Sequence, residues 1–197
     1  MPALLAAFLV FCRIGGCLML APGIGGRHIP MQVRLFLALA LALSFVPLLM
    51  GEVEPKVQGA GPAGLVLMVV AEIATGAIIG LLARFYFNAL QFVANFIAQA
   101  VGVAGMPGVS MDDDEALPTL ASLIAFSALA LVFISDLHLE LVRGLFENYA
   151  RVPPGSLFDT RLTLVDLVDQ LTAAFLVALR LASPFVIYAV LANFAVG

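Results

Sequence analysis

Long apolar runs, separated by short breaks rich in Gly, Pro and charge, fill the chain from end to end. That rhythm predicts an all-α protein of membrane-type helical hairpins, with about five or six long apolar helices, some of them broken. Ala3 to Leu20 is the first segment, with Arg13 near its middle beside Gly15 and Gly16. A charge at such a position costs about 2.5–3.5 kcal/mol on insertion scales, so its guanidinium is expected to face protein, water or a backbone carbonyl. It is either an interhelix partner or a pathway residue. Ala21 to Met31, APGIGGRHIPM, reads as a rigid corner carrying Arg27 and His28. Arg34 then opens the second segment, Leu35 to Met50, and the charged, Pro- and Gly-containing piece Glu52 to Pro62 reads as a solvated linker.

Gly64 to Ala83 is the third segment, with Glu72 inside it and Gly76 and Gly80 at the small-xxx-small spacing that lets helix backbones approach. No turn signal separates it from the fourth. Leu65 to Val101 is therefore either one long helix or two spans with a tight break at Arg84. At the helical period, Arg84, Asn88, Gln91, Asn95, Gln99 and Gly102 share one narrow face, nearly opposite Glu72. This polar seam runs into a break at Gly102, Gly105, Pro107 and Gly108, with Met106 and Met111 inside it and the acids Asp112 to Glu115 behind.

Leu117 to Ser135 is the fifth segment, and the preceding acids suit a helix N-terminus. The chain then becomes amphipathic: Asp136, Glu140, Arg143 and Glu147 lie opposite Leu141, Val142, Leu145 and Tyr149. Arg151 to Asp169, with Pro153, Pro154 and Gly155, reads as the longest loop, and Leu171 to Val196 is the sixth segment, containing Arg180 and Pro184.

Composition moves this picture into a membrane. Of 197 residues, 63% are hydrophobic and 11% charged, and the mean hydropathy is +1.12, against roughly 45–50% apolar residues in a soluble domain. The length suits a single domain, 1–197. Nine scattered basic residues and a net charge of −4 make no surface for nucleic acid. Cys12 and Cys17 match neither redox nor zinc spacing and read as packing residues. No nucleophile elbow, metalloprotease helix, phosphate loop or dinucleotide fingerprint occurs, and no carboxylate pairing for acid–base work can be read from spacing, so no catalytic, metal or cofactor site is expected. The contiguous acids lack the alternating ligands and central glycine of a calcium loop. With six crossings, most arginines would share one side and the acidic clusters the other, placing the N-terminus outside.

The first hairpin reads Arg13, Ala21-Pro22, Arg27, Ile29-Pro30, Arg34 and LFLALALAL, and in this it resembles the FliR family of flagellar export-gate proteins. The likeness continues through Glu72 with Gly76 and Gly80, through QAVGVAG, FISDLHLELVRGLFENYARVPPG and SPFVIYAVLANFAVG, and so covers essentially the whole chain. Virulence type III secretion homologues share much of it; the PPG-bounded stretch and the Asp112 cluster favour the flagellar branch. Two departures stand out. Asp136-Leu137-His138 replaces the family's Asn-Gly-His, which puts a turn built on that glycine in question, and the family continues beyond the position of Gly197 with further helical segments, so the chain is expected to be a fragment or truncated product.

The resemblance implies a non-enzymatic subunit that assembles with FliP-like and FliQ-like subunits, and with FlhB-like and FlhA-like export proteins, in the bacterial inner membrane at the flagellar basal body. Unfolded flagellar proteins would pass through that assembly. It implies that Arg13, Pro22, Arg27, Pro30 and Arg34 are structural, and that the loop plugging the closed channel matches Gly102 to Glu115. It also implies a gate held largely above the bilayer plane, against six crossings. Interhelix hydrogen bonding and a channel-facing role both remain open for the seam. The rival classes are a virulence secretion subunit and a stand-alone secondary transporter, the latter suggested by broken helices and buried charge although no inverted repeat is apparent.

Overall fold

The computed structural model describes residues 2–26, 29–102, 118–156 and 160–196. Its elements are α1 (Pro2–Leu20), α2 (Met31–Gly59), α3 (Pro62–Ala100), α4 (Thr119–Ile134), α5 (Leu137–Arg151) and α6 (Thr160–Val196). The fold is all-α, as the apolar periodicity predicts. Arg27, His28 and the stretch from Gly105 through Met106, Pro107, Gly108 and Met111 to Glu115 lie outside the described residues.

The open choice between one helix and two at Arg84 is resolved in favour of one. α3 runs unbroken through 39 residues, about 58 Å at the helical rise, and is the member the others pack on. α1 lies along its first half, where Met68 joins a core with Leu9, Ile14 and Leu18 of α1. Its second half carries α4 through Ala94, Ala98 and Ala121, and α6 through Val93, Ala178 and Ala182.

Three boundaries differ from the sequence reading. Glu52 to Pro62 is not a linker: α2 continues to Gly59 because Val53 and Val57 extend the buried stripe of Ala38, Ala42, Phe45 and Leu49. Pro47 and Pro55 fall on its exposed side, and Lys56 Nζ donates to the carbonyl of Pro154 at 3.1 Å. Arg151 to Asp169 is shorter as a loop than its polar composition suggests, since α6 begins at Thr160. α4 and α5 are separate helices, bent by 66° at Asp136. Asp136 itself takes the left-handed conformation, φ 57°, which a short polar side chain tolerates. The turn thus forms with leucine at 137, because the residue that must be left-handed is the one before it.

Among the described residues, α1, α2, α3 and most of α6 are long and apolar enough to cross a membrane, making four candidate spans, or five if the bent α4–α5 pair counts as one. The six-crossing count fails because the third and fourth segments are one helix. The charge-sidedness argument built on that count, with its outside N-terminus, loses its basis.

Candidate functional site

Arg13 is wholly buried on the face of α1 turned toward α3 and α5. Its Nε donates to Glu72 Oε2 at 2.6 Å and its Nη2 to Oε1 at 2.9 Å, the two-pronged geometry that suits guanidinium and carboxylate. Nη1 donates to Asn148 Oδ1 at 3.2 Å and to the carbonyl of Val152 at 3.0 Å. The guanidinium also stacks on the ring of Tyr149, 4.1 Å from its centroid. Glu72, buried in turn, accepts the backbone N–H of Gly155 at 2.8 Å. One ion pair therefore ties α1, α3, the end of α5 and the Pro153–Gly155 turn together, while the buried Tyr149 hydroxyl beside it has no hydrogen-bond partner among the described residues.

The helices come this close because side chains are missing where they cross. A Cβ on Gly76 would overlap the carbonyl oxygen of Arg13, one on Gly80 that of Cys17, and one on Gly16 would sit 2.6 Å from the carbonyl oxygen of Ile73. The small-residue spacing noted in the sequence thus sets the depth at which Arg13 meets Glu72. Sequence spacing could not pair them across 59 positions. The available signal was that each is a lone charge in an apolar helix with glycines beside it. Asn148, Tyr149 and Gly155 carried no such mark as members of the node.

At the first corner, Arg34 Nη1 donates to the carbonyl of Gly25 at 3.1 Å and Nε to that of Ile29 at 3.2 Å. Pro30 precedes the first turn of α2 with φ −53° and ψ 139°, and Pro22 is half-buried within the turn. Arg34 therefore fastens the loop it closes, using carbonyls that no helix satisfies.

The polar seam sits on the second half of α3, away from this node. Asn88 and Gln99 are exposed, and Arg84, Gln91 and Asn95 are half-buried. Gln91 Nε2 is buried without a hydrogen-bond partner among the described residues, a situation that costs about 1–3 kcal/mol unless another group supplies one. Gly102, at the end of α3, is exposed with φ +83°. A cavity of about 570 Å³ between α3, α5 and α6 is lined by Thr75, Asn148, Arg151, Asp166 and Gln170. Among the described residues no cluster of His, Cys, Asp and Glu could hold a metal ion.

Large side chains stand exposed on every long helix, among them Phe36 at 72%, Leu48 at 68% and Phe194 at 85%. Apolar surface on that scale, around a small core fixed by an ion pair, defines a membrane-type helical subunit whose outer faces are made for lipid or for other chains. The chain belongs to the bacterial export proteins, family 1, the FliR family, whose model matches residues 4–197. It is similar to the flagellar biosynthetic protein FliR of Caulobacter vibrioides, 27% identical over 191 residues, which is 97% of this chain and 75% of that protein.

Proposed function

We propose that this chain is a non-enzymatic core subunit of a flagellar type III export gate, set in the bacterial inner membrane at the flagellar basal body. There it forms part of the conduit for unfolded flagellar proteins, beside FliP-like and FliQ-like subunits and with FlhB-like and FlhA-like export proteins. The observation that carries this reading is α6. It is 37 residues long, belongs to a chain matched almost throughout by a bacterial export family, and buries little beyond Ala174, Ala178 and Ala182. A helix that, among its described residues, gives its own fold three alanines and exposes its large side chains is suited to packing between neighbours.

Within that assembly the seam of Arg84, Asn88, Gln91, Asn95 and Gln99 faces an adjoining subunit, and the exposure of Asn88 and Gln99 supports such a contact. The stretch from Gly102 through Gly105, Met106, Pro107 and Gly108 to Met111 forms the movable closure, where flexible methionines can seal and repack. Arg13, Pro22, Arg27, Pro30 and Arg34 hold the hairpin in shape. The test is co-expression of the full-length protein with the flagellar export subunits, affinity purification and a motility assay in a strain lacking the gene. Recovery of the complex and of swimming is the expected result. A protein that joins no complex, or that alone carries out substrate-coupled transport in liposomes, would overturn the assignment.

A further inference from the structure

The cavity of about 570 Å³ between α3, α5 and α6 falls within the range of small-molecule sites, roughly 300–1,000 Å³, and each helix gives it a different chemistry. α5 contributes Asn148 and Arg151, three positions apart and so neighbours on one face. α6 contributes Asp166 and Gln170, four apart. α3 supplies Thr75 and the apolar side chains of Ile78, Ile79 and Leu82.

Part of this lining is held from outside the cavity. Arg13 Nη1 can only donate, so its bond to Asn148 Oδ1 at 3.2 Å fixes that amide with its NH2 group left to donate elsewhere. Gln170 Oε1 accepts from the Tyr86 hydroxyl at 2.7 Å. Thr75, 5% exposed, donates its hydroxyl proton to the Ala71 carbonyl at 2.8 Å and keeps lone pairs that can accept. Arg151 and Asp166 are the charges of the lining, and among the described residues neither forms an ion pair, with the other or with a third group.

These two charges select what can enter. An anion alone is attracted by Arg151 and repelled by Asp166, and a cation alone meets the reverse. A molecule that carries both signs satisfies both, and Ile78, Ile79, Leu82 and Leu167 accept an apolar remainder.

We propose that this cavity binds an amine-bearing phosphate with an apolar tail, the chemistry of an ethanolamine phospholipid. The phosphate oxygens take N–H bonds from Arg151 and from the free amide group of Asn148, and the ammonium is met by the Asp166 carboxylate and the Thr75 hydroxyl oxygen. Such an occupant joins α5 to α6. Because the protein supplies both counter-charges and the apolar wall, the site needs no particular depth in a bilayer, and it stands apart from the gate role.

The experiment purifies the full-length protein from bacterial membranes in mild detergent and measures retained lipid by native mass spectrometry, for wild type, Arg151→Gln, Asp166→Asn and Asp169→Asn. Asp169 is exposed on the same helix but outside the cavity lining, so its variant makes the same change of charge away from the site. Offered equal amounts, wild type retains phosphatidylethanolamine at least fivefold over phosphatidylglycerol. Arg151→Gln loses at least tenfold in retention of both. Asp166→Asn keeps phosphatidylglycerol but loses the preference, a change that an unfolded protein could not show, and Asp169→Asn behaves as wild type. Glycerophosphoethanolamine, the headgroup without chains, separates the two sources of this chemistry. At millimolar concentration it leaves a retained phospholipid in place, whereas its binding with no lipid retained assigns the site to a soluble phosphoamine. Equal retention of the two lipids by wild type, the same change in Asp166→Asn and Asp169→Asn, or binding of neither probe overturns the site.

Discussion

Two arginines show how differently one residue type is treated near the middle of apolar helices. Arg13 has four hydrogen bonds and an aromatic face around it; Arg180 has an open side. For Arg13 the consequence is measurable. Removing one member of a buried pair leaves an uncompensated charge, worth about 3–5 kcal/mol, whereas replacing both by apolar groups of similar volume is close to neutral. Arg13→Ala and Glu72→Ala are therefore each expected to destabilise the detergent-solubilised protein by about that amount in thermal or denaturant unfolding. Arg13→Met combined with Glu72→Leu is expected to recover most of the loss. Additive losses in the double variant would contradict the pairing. That Arg13 needed shelter was legible from one charge in an apolar run. Its partner was not, because a helix face read from sequence says which residues look outward together and nothing about which distant helix they meet.

At the scale of the element, the apolar periodicity carried the fold where it was uninterrupted and misled where polar residues clustered. α1 was legible almost to the residue, because nothing in it competes with the helical pattern. The end of α2 was hidden by charge and proline, although Val53 and Val57 continue its buried stripe. On α5 the stripe was read correctly, with Leu145 and Tyr149 buried, but a moment says nothing of direction, so the 66° bend was invisible. The bend supplies its own test. With φ at 57°, Asp136→Gly is expected to leave stability unchanged or raise it by up to about 1 kcal/mol. A β-branched side chain there, Asp136→Val, is expected to cost at least about 1–2 kcal/mol. Equal melting temperatures for Gly and Val would show that the turn does not depend on that conformation.

At the scale of the whole molecule, the hub is α3, with α1 on one half and α4 and α6 on the other. The sequence left this helix undecided because length alone cannot distinguish a long rod from two spans. For the proposed closure, deleting Gly105 to Gly108 is expected to raise ion leakage through the assembled complex several-fold, read as membrane conductance or as sensitivity of growth to small ions. Unchanged leakage in an assembled complex would remove that role from the loop.

The clamp at Glu72 and the chain's exit from α3 at Gly102 stand at widely separated points of one unbroken rod. The intervening helix is about 45 Å long. A rod of that length is a lever for what is packed on it: a pivot of about 5° at the crossing with α1 would carry the far end, together with α4 and α6, sideways by about 4 Å. The same glycines that let two backbones touch thus set a fulcrum, and small slips of α1 against α3 become displacements as wide as a side chain where the chain leaves the helix.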